Sequence, residues 1–100
     1  MSRRKLVRDK IPDIIESEGR KANVSFAEGE EYVRLLREKL QEEVHEFLES
    51  GKPEELADIL EVLFALGEEC GVTKEALEEI REKKFVERGG FSQRIILEMI

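Results

Sequence analysis

The stretch that decides the fold runs from residue 30 to residue 70, EEYVRLLREKLQEEVHEFLESGKPEELADILEVLFALGEEC. Leu36, Leu40, Glu43 and Phe47 follow one another at intervals of four, three and four, the spacing of an inward-facing helical stripe. Glu43 stands where a leucine is expected. Ser50-Gly51-Lys52-Pro53 then stops this helix and starts the next, through a C-terminal glycine and an N-terminal proline. The second helix is apolar around most of its circumference, with Leu56, Ile59, Leu60, Val62, Leu63, Phe64 and Leu66, and is expected to be the central one. Within it Asp58 is surrounded by apolar residues and preceded one turn earlier by Glu55. So short a connection makes the two helices antiparallel neighbours, so that Glu43 and Glu46 near the end of one face Glu55 and Asp58 near the start of the other. Two pairs of carboxylates aimed at a bundle interior are costly unless a positive charge lies between them. A hard divalent cation such as Mg²⁺ is the simplest candidate. The competing explanation is a solvated acidic surface, since 24 acidic residues in 100 produce short glutamate patterns by chance.

Working outward, residues 1–10, MSRRKLVRDK, are basic and expected to begin extended. Pro12 suits the first turn of a short helix carrying Ile14 and Ile15, with Asp13 and Glu16 near its positive end and Gly19 ending it. Residues 19–29 lack a helical stripe and read as a lid or connector, in which Phe26 either stacks on a ligand or staples the loop to the bundle. After Gly71, Thr73 is placed to cap a helix that buries Leu77 and Ile80 and runs to about residue 87. The tail FSQRIILEMI alternates Ile95, Leu97 and Met99 with Ile96, Glu98 and Ile100, which fits an extended segment packed on its own subunit or on another. The predicted architecture is an all-α antiparallel helical bundle in a single domain, residues 1–100, with helices over about 30–49, 53–70 and 73–87 and a short extended C-terminal tail. Small size and an apolar tail point to a homodimer or higher homo-oligomer.

Charged residues make up 41% of the chain and the net charge is −7. That balance argues against a nucleic-acid polymer as partner, because phosphate backbones require a cationic surface. A nucleotide stays compatible with it, since a bound metal reverses the local sign. No stretch has the length of a membrane span or the apolar run of a signal peptide, so no membrane association and a cytoplasmic location are expected. Cys70 is the single cysteine, expected to pack at the end of an apolar helix.

Ile80, Lys84 and Arg88 recur every four residues, so two cations continue a face that begins as core. Long basic side chains commonly lie over apolar surface with the charge in water, but beside an acidic metal cluster they suit a polyphosphate. Gly89 and Gly90 either let backbone amides approach an anion or simply stop the helix. With these residues in view, the chain resembles the MazG-type all-α nucleoside triphosphate pyrophosphohydrolases, specifically the small single-domain branch described as phosphoribosyl-ATP pyrophosphohydrolase-like or house-cleaning proteins. The family pattern E-E-x-x-E followed by E-x-x-D corresponds to Glu42, Glu43, Glu46, Glu55 and Asp58. The opening KLVRDKIPDII, the run EELADILEVLFAL and the ending KKFVERGGFSQRI extend the resemblance over nearly the whole chain. The connection between the acidic motifs is shorter here than in many relatives.

The resemblance implies that Glu43, Glu46, Glu55 and Asp58 bind Mg²⁺, with Mn²⁺ as a possible substitute, and that Lys84 and Arg88 contact substrate phosphates. Glu42, within the motif, and Glu61, one turn beyond Asp58, are candidate catalytic carboxylates. The implied reaction converts a nucleoside triphosphate or related nucleotide to its monophosphate and pyrophosphate, which needs charge neutralisation on phosphoryl oxygens and an aligned water. The only histidine, His45, lies between motif residues and is expected to face outward. There is no nucleophilic triad and no Walker-type glycine loop in the sequence. The alternatives are a non-catalytic helical interaction module, which explains the composition but not carboxylates in seam positions, and a nucleotide-sensing module that keeps the metal site without turnover.

Overall fold

The computed structural model describes residues 4–98 and contains four helices: α1 (Ile11–Ser17), α2 (Gly29–Ser50), α3 (Pro53–Glu69) and α4 (Lys74–Arg88). Among the described residues there is no β-strand. The long pair α2–α3 forms the antiparallel hairpin that the sequence pattern requires, and α4 packs against α3. Each punctuation mark between them has a physical basis. Gly51 follows α2 at φ +67°, in the left-handed region where a side chain is unfavourable, and its amide donates to Phe47 O at 2.7 Å. Pro53 opens α3, where its missing N–H costs nothing. At the far end of α3, Gly71 takes φ +78° while Val72 N donates to Gly67 O at 2.8 Å and Gly71 N to Glu68 O at 3.0 Å, the paired bonds of a Schellman stop. Thr73 caps α4 by accepting from Ala76 N at 3.1 Å.

The stripe on α2 faces inward as its spacing demands. Leu35 and Leu36 are buried, Leu40 and Phe47 half-buried, and Glu43 is 7% exposed. On α3, Val62 is buried and Ile59 and Leu66 are half-buried toward the hairpin.

Several expectations change once the chain is folded. The helix α3 is central in sequence character but not in this single chain, because Leu56, Leu60 and Leu63 are exposed on the side away from α2, Leu56 at 51%. Leu77 is half-buried, whereas Ile80 is exposed; one flanking helix covers too little of the α3–α4 surface to enclose both. Cys70 caps α3 in solvent rather than packing in a core. Phe26 is 90% exposed, so it does not staple the loop to the bundle. The tail forms no helix or strand among the described residues, and Ile95, Ile96 and Leu97, which follow Arg94 at φ +60°, are exposed, so they do not pack on their own subunit. Residues 1–3, Met99 and Ile100, all covered by sequence expectations, lie outside the described residues.

The outcome is an elongated molecule measuring 55 × 32 × 27 Å with a radius of gyration of 17.5 Å. A compact chain of this length has a radius of about 13 Å. It exposes 9309 Å², where a folded monomer of 11.6 kDa exposes about 5,800 Å². No helix among the described residues is long and apolar enough to cross a membrane.

Candidate metal and phosphate site

The hairpin brings together three of the carboxylates marked by the sequence. One oxygen each from Glu43 on α2 and from Glu55 and Asp58 on α3 lies within 4.8 Å of the other two. The reason is local: α2 delivers Glu43 about two turns before its stop, the Gly51–Lys52 connection reverses the chain, and Glu55 and Asp58 stand on the first turns of α3. Glu43 is the buried member, and Glu55 and Asp58 are half-buried.

Lys39, one turn before Glu43, lies 3.3 Å from Glu43 Oε1 and 3.6 Å from Glu42 Oε1. Glu43 Oε2 has no hydrogen-bond partner although it is buried. Burial pushes the Glu43 carboxyl above the ordinary glutamate range; the Lys39 hydrogen bond and charge oppose this, and the Glu46 and Asp58 charges reinforce it. Glu46 is therefore near enough to act on Glu43 through space, but it is exposed and does not join the converging trio.

A cavity of about 460 Å³ opens beside Glu43 and Asp58, while Glu55 stands outside its wall. Its wall includes Asp58 and Glu43 together with residues that sequence reasoning assigned no role in the site, among them Leu6, Arg8, Tyr32 and Lys39. The size is that of a small-molecule pocket. Arg8 Nη2 donates to Asp58 Oδ1 at 2.8 Å. Lys5 Nζ lies 3.4 Å from Glu42 Oε1, and Arg4 pairs with Glu31, so the basic opening of the chain lies along the acidic side of α2. Tyr32 has its hydroxyl pKa raised by burial first and then by the charges of Glu69, Glu68 and Asp9, so it remains a hydrogen-bond donor at neutral pH.

Of the remaining predicted residues, Glu61 is exposed and lines the cavity, and Glu42 is half-buried between Lys5 and Lys39. Lys84 and Arg88 are exposed on α4 and take no part in the cavity wall. His45 is exposed beside Glu49, outward as expected. Lys39 was legible in principle, since a lysine four residues before Glu43 must share its face. Arg8 had no local signal: its partner lies 50 residues away.

The donor set suits a hard divalent ion. Ligands about 2.0–2.1 Å from Mg²⁺ stand no more than about 4.2 Å apart, so small side-chain rotations would close the trio around it. Compared with protein families, with curated proteins and with solved structures, the chain has no match in any of the three.

Proposed function

We propose that the chain is a Mg²⁺-dependent nucleoside triphosphate pyrophosphohydrolase of the all-α, MazG-like kind, producing the monophosphate and pyrophosphate. The observation that carries this reading is Glu43, a carboxylate more than nine-tenths buried whose Oε2 lacks any partner, beside oxygens of Glu55 and Asp58. An orphaned buried carboxylate oxygen is costly, and a cation placed among the three would relieve that cost. Glu43, Glu55 and Asp58 would hold the ion, with Glu46 one turn farther along α2 adding charge nearby. Mg²⁺, or Mn²⁺ in its place, would supply neutralisation of phosphoryl oxygens and a more acidic water.

The rest is work for the chain. Glu61, on the cavity wall, would orient a water or take its proton, and Glu42, engaged by Lys5 and Lys39, would be the alternative base. Tyr32 offers a hydroxyl donor to the cavity. Lys84 and Arg88 serve phosphate binding only if α4 of a second copy approaches the site.

Self-association belongs to the same proposal. The exposed leucines of α3, together with Ile80, Phe85 and Val86 on α4, leave an apolar surface uncovered, and the excess of roughly 3,500 Å² over a compact monomer is ample for an obligate helical dimer. A homodimer or higher homo-oligomer built through these faces would restore α3 to a central position. The deciding experiment is release of pyrophosphate from a panel of nucleoside triphosphates with Mg²⁺ and with chelator. Metal-dependent release supports the enzyme; nucleotide binding without release supports a sensor, and neither supports an interaction module.

A further inference from the structure

Arg8 is the residue that no sequence signal connects to the acidic cluster, yet it is the one that meets it. It lies on the irregular segment before α1, and its guanidinium bonds to Asp58 at 2.8 Å. The same segment is tied to α2 by Arg4 on Glu31 and Lys5 on Glu42. It lines the same cavity as Glu43 and Asp58. The two cations at the cluster differ in kind. Lys39 is largely covered and stands on α2 one turn from Glu43, whereas Arg8 is half-exposed and lies just outside α1, its carbonyl accepting from Ile11 N at 3.0 Å.

We propose that Arg8 is a stand-in cation: it neutralises Asp58 while the carboxylates hold no divalent ion, leaves Asp58 when an ion binds there, and then offers its guanidinium to phosphate oxygens in the same cavity. The phosphate half of this rests on the nucleotide reading above. The displacement follows from the relative strengths involved. A half-exposed ion pair shifts an equilibrium by about fivefold at most, which a divalent ion held by three carboxylates exceeds, and the ion repels the guanidinium from the shared carboxylate. The swing needs only rotation of the long Arg8 side chain, so the bond from Ile11 N to Arg8 O at 3.0 Å and the Arg4 and Lys5 anchors stay in place. Once released, the planar fork of Arg8 matches phosphate geometry better than an ammonium does. Neither Lys84 nor Arg88 reaches this cavity within the chain, so the cations facing it come from Arg8, Lys10 and Lys39.

The test uses the full chain and two variants, Arg8→Gln and Arg8→Lys. Mn²⁺ alone is titrated calorimetrically into metal-free protein, and inorganic pyrophosphate, a probe independent of base and sugar, is titrated in the presence of Mg²⁺. Arg8→Gln is expected to bind Mn²⁺ about two- to fivefold more tightly than the wild type, because a competing cation is gone, and to bind pyrophosphate about tenfold more weakly. Arg8→Lys, which keeps the charge, should stay near the wild type for Mn²⁺ and fall between for pyrophosphate. Opposite signs for the two ligands separate this role from a structural one, which weakens both. Unchanged or weaker Mn²⁺ binding by Arg8→Gln overturns the proposal, as does unaltered pyrophosphate affinity. The enzyme reading fails separately, on a wild-type chain that releases no pyrophosphate from any nucleotide while both Arg8→Gln shifts persist.

Discussion

Glu43 and Asp58 face each other across the hairpin in different surroundings, and substitutions there should have different consequences. Glu43 is held by Lys39 through one oxygen and by nothing through the other. Its folded pKa is raised, so between the ordinary glutamate range and that raised value the folded chain binds more protons than the unfolded one. Stability contributed by this group therefore falls as pH rises through that window, and the penalty is fully developed above the raised value. Glu43→Gln is expected to stabilise the metal-free protein at neutral pH, with an advantage that disappears as pH drops below the ordinary glutamate range. Melting curves at several pH values with chelator check this, and an advantage that grew in acid would contradict it. Asp58→Asn retains shape while removing one charge of the trio. Losing the half-exposed pair with Arg8 costs at most about 1 kcal/mol, offset by relief of repulsion toward Glu43. The variant should stay folded without metal, lose pyrophosphate release, and show a smaller Mg²⁺-induced rise in Tm. Full metal-dependent hydrolysis by Asp58→Asn would falsify the site.

At the scale of elements, the hairpin and α4 have unequal claims on stability. Helix α2 packs along α3 over its length, while α4 is held by a shorter contact and by its cap. The ion pairs that Arg81 makes with Glu78 and Glu82 are exposed and contribute little. Thr73→Ala removes the one side-chain acceptor at the start of α4 and is expected to cost about 1 kcal/mol. Hydrogen exchange should show the loss concentrated in residues 74–80, with protection of α2 and α3 retained. Uniform loss of protection across all three helices would mean that α4 is integral to the hairpin's stability. Because the acidic trio lies at the opposite end of α3 from this cap, the Mg²⁺ response of Thr73→Ala should match that of the wild type.

For the whole molecule, shape and surface composition lead to one expectation. A chain with a radius of gyration of 17.5 Å and exposed leucines along α3 has left much of its apolar surface to be covered. Light scattering should therefore give a mass of at least two chains. Leu60→Glu places a charge in the middle of the uncovered α3 face and is expected to shift the mass toward one chain with loss of helical ellipticity. An unchanged mass would show that assembly uses another surface.

Much of the hairpin was legible because it depends on short-range chemistry. The four-three-four stripe through Leu36, Leu40, Glu43 and Phe47 fixes which face of α2 turns inward, and Gly51 with Pro53 permits only a tight reversal, so the meeting of Glu43 with Glu55 and Asp58 follows from positions a few residues apart. The caps at Gly71 and Thr73 are local for the same reason. Tertiary structure alone decided what touches the cluster from a distance. Arg8 reaches Asp58 through a segment with no periodicity, and its placement depends on anchors at Glu31 and Glu42 that no spacing rule connects. The separation of Lys84 and Arg88 from the cavity, and the exposure of Leu56, Leu60 and Phe26, are likewise set by how few elements one chain has to lay against each face. An apolar stripe announces that it must be buried, and only the packing of the folded chain decides whether its own residues can bury it.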